Sequence, residues 1–113
     1  MIKLIIPGRP VPKSRPRVVR GHAYTPQKTQ RAEETIAWHA RAQWVSPLRG
    51  AVKMSCVFYF KGKGHGDIDN LIKLCADSLN GICYKDDRQI LDLHGVILLK
   101  QKEEKTEILI TEF

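Results

Sequence analysis

Pro7, Pro10, Pro12 and Pro16 fall within ten residues of one another, and no other stretch limits the fold of this chain so tightly. Proline lacks the N–H that a helix interior needs, so no helix can pass through them. A sheet ladder is equally disfavoured outside an edge. The run Met1–Ile6, with Ile2, Leu4 and Ile6 on one face, therefore reads as a strand that stops at Pro7. Residues 7–17 read as an extended loop carrying Arg9, Lys13, Arg15 and Arg17. The prolines stiffen that loop, so its cations lose little freedom when they bind.

Beyond it, Val18–Tyr24 is left open between a short hairpin turning at Gly21-His22 and a loop. Thr25-Pro26 sets an N-cap and a first helical position, and the helix is expected to run to about Trp44. Ala32, Ile36, Ala40 and Trp44 would form its inner stripe, with Lys28, Arg31 and Arg41 in water. Ala51–Phe60 alternates most cleanly, placing Val52, Met54, Cys56, Phe58 and Phe60 on one face. Gly62–Gly66 is a basic, glycine-rich loop without the ending of a P-loop. A second helix is expected over Asp69–Asn80, burying Ile68, Leu71, Ile72, Cys75, Ala76 and Leu79, with Gly81 as its stop. Ile90–Lys100, with Leu91, Leu93, Ile97 and Leu99 on one face, and Lys105–Phe113 complete the chain as strands. The expected fold is α/β (α+β): one small domain over residues 1–113, a mixed β-sheet packed by two helices, in the order β-α-β-α-β-β.

No apolar run nears the roughly 20 residues of a membrane span. The apolar start Met1–Pro7 is too short for a signal peptide. Three cysteines without a C-x-x-C pair read as reduced packing thiols of a cytoplasmic protein. A 113-residue core is modest, so dimerisation would help to bury apolar surface. Charge is more informative. The net charge is +7, and residues 1–32 hold eight cations and no acid, which points to nucleic acid. Arg20, Lys28, Lys61 and Lys63 join the loop cations as candidate DNA contacts.

Against that basic background all six aspartates lie between Asp67 and Asp92. Carboxylates gathered in this way take up protons or bind a cation. Residues two apart in an extended segment point the same way, so Asp67 and Asp69 can converge on one ion just before the helix. Asp69, Lys73 and Asp77, four apart, share an exposed helix edge. Asp86 and Asp87 follow the helix, and spacing alone does not say whether their loop folds back. Oxygen ligands with open positions suit Mg²⁺, or Mn²⁺, in a metal-dependent phosphodiesterase. The plainer interpretation is an N-cap at Asp69, a solvated ion-pair row and a polar turn at Asp86-Asp87. His65, Cys75 and Cys83 lack zinc-ligand spacing. His22, His39 and His94 have no partner motif, Trp38 and Trp44 read as core or dimer contacts, and Tyr24 is as suited to packing as to stacking on a base.

Asp67-Ile-Asp-Asn-Leu-Ile-Lys73, Asp77-Ser-Leu-Asn-Gly81 and Tyr84-Lys-Asp-Asp-Arg-Gln-Ile90 together resemble the RusA family of Holliday-junction resolvases. Pro7–Arg17 and Ala23–Thr29 are similar to the family's basic loop and helix start, while Gly66 stands where many members carry proline. The resemblance implies a small homodimeric endonuclease, of phage or host origin, that uses Mg²⁺ to cut four-way DNA junctions by paired symmetric nicks in recombination and repair. It implies catalytic roles for Asp67, Asp69, Lys73 and Asp87, and metal ligation by Asp67, Asp69 and Asp87. The rivals are a nuclease on other branched DNA and a non-catalytic DNA-binding phage protein.

Overall fold

The computed structural model of the protein describes residues 1–14, 17–24 and 26–113. In chain order it contains β1 (Ile2–Pro7), a hairpin of β2 (Arg17–Val19) and β3 (His22–Tyr24), α1 (Gln27–Ala42), β4 (Val52–Tyr59), α2 (Ile68–Ser78), a single 3₁₀ turn at Asp87–Gln89, β5 (Ile90–Leu98) and β6 (Lys105–Glu112). Apart from the hairpin, this is the expected order of strands and helices. The hairpin turns at Arg20-Gly21, one residue earlier than expected. Thr25, expected as the α1 N-cap, lies outside the described residues, and Pro26 stands at that position.

The four long strands form one mixed sheet in the order β1-β6-β4-β5. β6 runs antiparallel to β1 and to β4, while β5 runs parallel to β4. A parallel neighbour needs a crossover, and α2 supplies it. The alternation in β1, β4 and β6 sends Ile2, Leu4, Ile6, Val52, Met54, Cys56, Phe58, Ile108 and Ile110 to the same buried face. The helices complete the core with Ile36 and Ala40 from α1 and Leu71, Leu74, Cys75 and Leu79 from α2. Gly95 of β5 faces α2, where a Cβ would collide with the end of the Ile72 side chain, so the helix lies close to this strand. All three cysteines are buried free thiols, as expected of packing residues.

Three expectations need correction. Trp44 is not on the inner stripe: it lies beyond the end of α1 at positive φ and is 92% exposed. Trp38 is 64% exposed, so neither tryptophan belongs to the core. In β5 the register against β4 skips Leu91, pairing Ile90 with Val52 but Asp92 with Lys53. This bulge takes Leu91 off the expected face, while Leu93 and Ile97 stay on it opposite Met54 and Phe58. Leu91, Leu93 and Leu99 are exposed while Ile97 packs against the core. Among the described residues no helix is long and apolar enough to cross a membrane.

Candidate active site

Two contacts lay the proline-rich segment along α2. The Lys13 N–H donates to the Asn70 carbonyl at 2.9 Å. Gly66 lies so near the Pro12 ring that a Cβ there would approach Pro12 Cγ to 2.9 Å. Val11 also packs against the core, so the segment is docked rather than free. Lys13 Nζ then reaches Glu33 on α1 at 2.9 Å and Asp77 on α2 at 3.4 Å. From the other side, Lys73 Nζ lies 3.5 Å from the same Asp77 carboxylate.

Helix α2 begins at Ile68, one residue before the expected start, and this changes the geometry of the first two aspartates. Asp67 is the extended N-cap residue and Asp69 is already helical, so the alternation of an extended segment does not relate them. The Asp67 carboxylate makes no capping hydrogen bond and is exposed. Asp69 accepts from the neighbouring Asn70 N–H, at 2.9 Å.

The loop after α2 does fold back on the helix. Tyr84 is fully buried, and its hydroxyl donates to the Ala76 carbonyl at 2.6 Å. The Asp87 N–H donates to Asn80 Oδ1 at 2.9 Å. Asp86 and Asp87 consequently differ in role. Asp86 is exposed and caps the 3₁₀ turn, accepting from the Arg88 N–H, which lowers its carboxyl below the usual range. Asp87 turns toward α2, where burial first, then hydrogen bonding with Asp86 and Asp77, pushes its carboxyl up.

Asp69, Lys73 and Asp87 line one groove of about 400 Å³ between α2 and the start of β5, with Ile72, Leu91 and Leu93 as its apolar walls. Asp69 and Asp77, eight residues apart, are separated by about 12 Å along the helix axis. Asp77 is among the groups that raise Asp87, which sets Asp87 near the last turn of α2 and Asp69 in its first turn, with Lys73 between them. Asp67 does not line the groove. Among the described residues, no three His, Cys, Asp or Glu side chains stand close enough together to hold a metal ion. The groove carboxylates nonetheless offer oxygen, the donor that hard divalent cations take. One or two carboxylates, with waters and phosphate completing the shell, is how proteins commonly hold Mg²⁺.

The candidate DNA-binding cations are scattered. Arg9 is committed to Glu104 at 3.0 Å, to the Gly64 carbonyl and to the face of Phe60. Lys13 is committed to Glu33 and Asp77. Arg20, Lys28, Lys61 and Lys63 are exposed. Arg15 lies outside the described residues, and Arg17 opens β2. Two residues escaped the sequence reading. Asp77 seemed an outward member of a surface row, yet its side chain is only 19% exposed. Gln89 looked like an ordinary polar residue, but it accepts from the Lys85 and Asp86 N–H groups and donates to the Leu48 and Gly50 carbonyls. A Gln three residues after Asp86 is a capping-box pattern and was the available signal.

A family model described as endodeoxyribonuclease RusA matches residues 7–111 of the chain. No curated relative matches it.

Proposed function

Because the chain belongs to the RusA family of endodeoxyribonucleases, we propose that it is a Mg²⁺-dependent nuclease that resolves four-way DNA junctions by paired symmetric nicks. The observation that carries this reading is the groove shared by Asp69, Lys73 and Asp87, set within the matched region. Asp67 and Asp69 of one copy with Asp87 of a two-fold partner would hold Mg²⁺, since Asp69 and Asp87 of one copy stand at opposite ends of the groove; Mn²⁺ has the same ligand preference. When bound, the ion would lower the pKa of a water and offset charge on the scissile phosphate. Lys73 places an ammonium at the middle of the groove, where it can contact a phosphate oxygen. Asp77 restrains that ammonium by its 3.5 Å contact, and Lys13 shares the compensation of Asp77. Hydrolysis in this way leaves 5′-phosphate and 3′-hydroxyl ends that a ligase can rejoin, as recombination and repair require.

Acid at opposite ends of one groove also supports a homodimer. Among the described residues β5 is an edge strand whose outer side has no strand partner, and Leu91 and Leu93 stand exposed on it. A two-fold copy lying antiparallel there would set the Asp69 end of one groove against the Asp87 end of the other. Two equivalent sites would also match the two strands that a junction needs cut. The test is a substrate panel of four-way junction, fork, flap and linear duplex, each incubated with Mg²⁺ or with chelator. Preferential Mg²⁺-dependent cleavage of the junction is expected. Equal cutting of all branched substrates would point to a general branched-DNA nuclease, and binding without cutting to a DNA-binding protein.

A further inference from the structure

The 84–89 loop is a ridge with different chemistry on its two sides. Asp87 faces the acidic groove, whereas Lys85, Asp86, Arg88 and Gln89 face a separate cleft of about 940 Å³. The opposite wall of that cleft is the loop before β4, including Ser46 and Arg49. We propose that this cleft binds a DNA phosphodiester backbone and holds the strand that passes the Asp87 end of the groove; this rests on the nuclease reading above.

Charge is the first support. Arg49, Lys85 and Arg88 are exposed cations on one concave surface, opposed by the single carboxylate of Asp86. That carboxylate already accepts from the Arg88 N–H. Arg49 and Lys85 form no ion pair among the described residues, unlike Arg9 and Lys13. Free cations are the ones that contribute counterion release when a phosphate arrives. The second support is that the walls are built and not merely adjacent. Gln89 Nε2 donates to the Leu48 carbonyl at 2.7 Å and to the Gly50 carbonyl at 2.9 Å. Its Oε1 accepts from the Lys85 N–H at 2.8 Å, so one side chain clamps both loops. The Leu48 N–H adds a bond to the Cys83 carbonyl at 2.8 Å. A cleft fixed in this way needs little ordering on binding. Position is the third support, since Arg88 directly follows Asp87, and a strand held here runs on into the groove.

Binding of a labelled four-way junction and of a linear duplex is measured in chelator across 50–200 mM salt. The full-length chain is compared with Arg49→Ala, Lys85→Ala and the double variant Arg49→Glu/Lys85→Glu. Each alanine change should weaken binding several-fold and reduce the salt slope of log K by about 1. The double reversal should cost more than tenfold, with its melting temperature unchanged. Lys102→Ala, an exposed residue in the turn between β5 and β6, should bind as wild type does. Wild-type affinity and slope in the cleft variants would overturn the inference while leaving the nuclease reading standing. A wild-type chain that binds neither DNA would overturn both.

Discussion

Lys13 Nζ lies 3.4 Å from Asp77 Oδ2, joining the proline-rich segment near the start of the chain to the last turn of α2. Both side chains are mostly covered, at 22% and 19% exposure. Burial by itself would lower the Lys13 ammonium. Glu33 and then Asp77 outweigh it, so Lys13 stays charged above its usual range. Asp77 in turn neighbours Asp87, and the contact between a basic loop and a helix becomes part of the acidic groove.

Lys13→Met keeps the length of the side chain and removes the charge. Glu33 and Asp77 then lose a shared cation, and Asp77 and Asp87 repel each other with only Lys73 to compensate. We predict a loss of about 1–3 kcal/mol in denaturant unfolding, less than the roughly 3–5 kcal/mol of a fully buried pair because both side chains keep some exposure. Junction cleavage should fall further than stability does, because Lys73 is drawn more strongly to Asp77. Lys13→Arg should recover most of both.

Gly66→Ala tests the docking of the proline-rich segment. The added methyl would sit 2.9 Å from Pro12 Cγ, which closer packing cannot absorb. A cost of about 1–3 kcal/mol is expected, in the range for overpacking. Pro12→Ala combined with Gly66→Ala should restore the melting temperature toward wild type, since it removes Cγ and leaves only the 3.1 Å approach to Cβ.

Raising the pH should loosen the loop that carries Asp87. Burial pushes the Cys83 thiol up to about 11 and the adjacent Tyr84 phenol well above its usual range. Both groups ionise more readily in the unfolded chain, so stability is complete below about pH 9 and falls as the pH rises through about 11. Cys83 alone accounts for about 2–3 kcal/mol of that loss by the upper end. Melting temperatures under reducing conditions should be flat from pH 7 to 8.5 and then drop. Cys83→Ala should flatten part of the decline.

Strand alternation made the sheet legible, because Val52–Phe60 and Ile2–Ile6 follow period two without interruption. The second helix was legible from its apolar stripe. Leu91 was misplaced because a bulge inserts one residue and reverses the faces on either side of it. Asp77 was misjudged because Lys13, remote in sequence, covers it, and helical spacing describes only local neighbours. The choice between Asp86 and Asp87 depended on which carboxylate caps the 3₁₀ turn, a matter of φ and ψ that composition does not show.

Acids at opposite ends of the groove make a dimer prediction with an unusual signature. Asp69→Asn and Asp87→Asn should each be inactive alone. After the two proteins are co-refolded, mixed dimers with sites shared between copies regain one wild-type site and nick one strand of the junction. Sites complete within each copy would leave every mixture inactive.

The most direct measurement is single-turnover cleavage of a four-way junction by wild-type, Asp69→Asn and Asp87→Asn proteins, with binding followed in parallel. A Mg²⁺-dependent junction nuclease requires wild-type cutting with Mg²⁺ and none with chelator. Both variants should bind the junction within a few-fold of wild type and cut it at least 100-fold more slowly. Cleavage by either variant at the wild-type rate, or wild-type cleavage that persists in chelator, would contradict this reading.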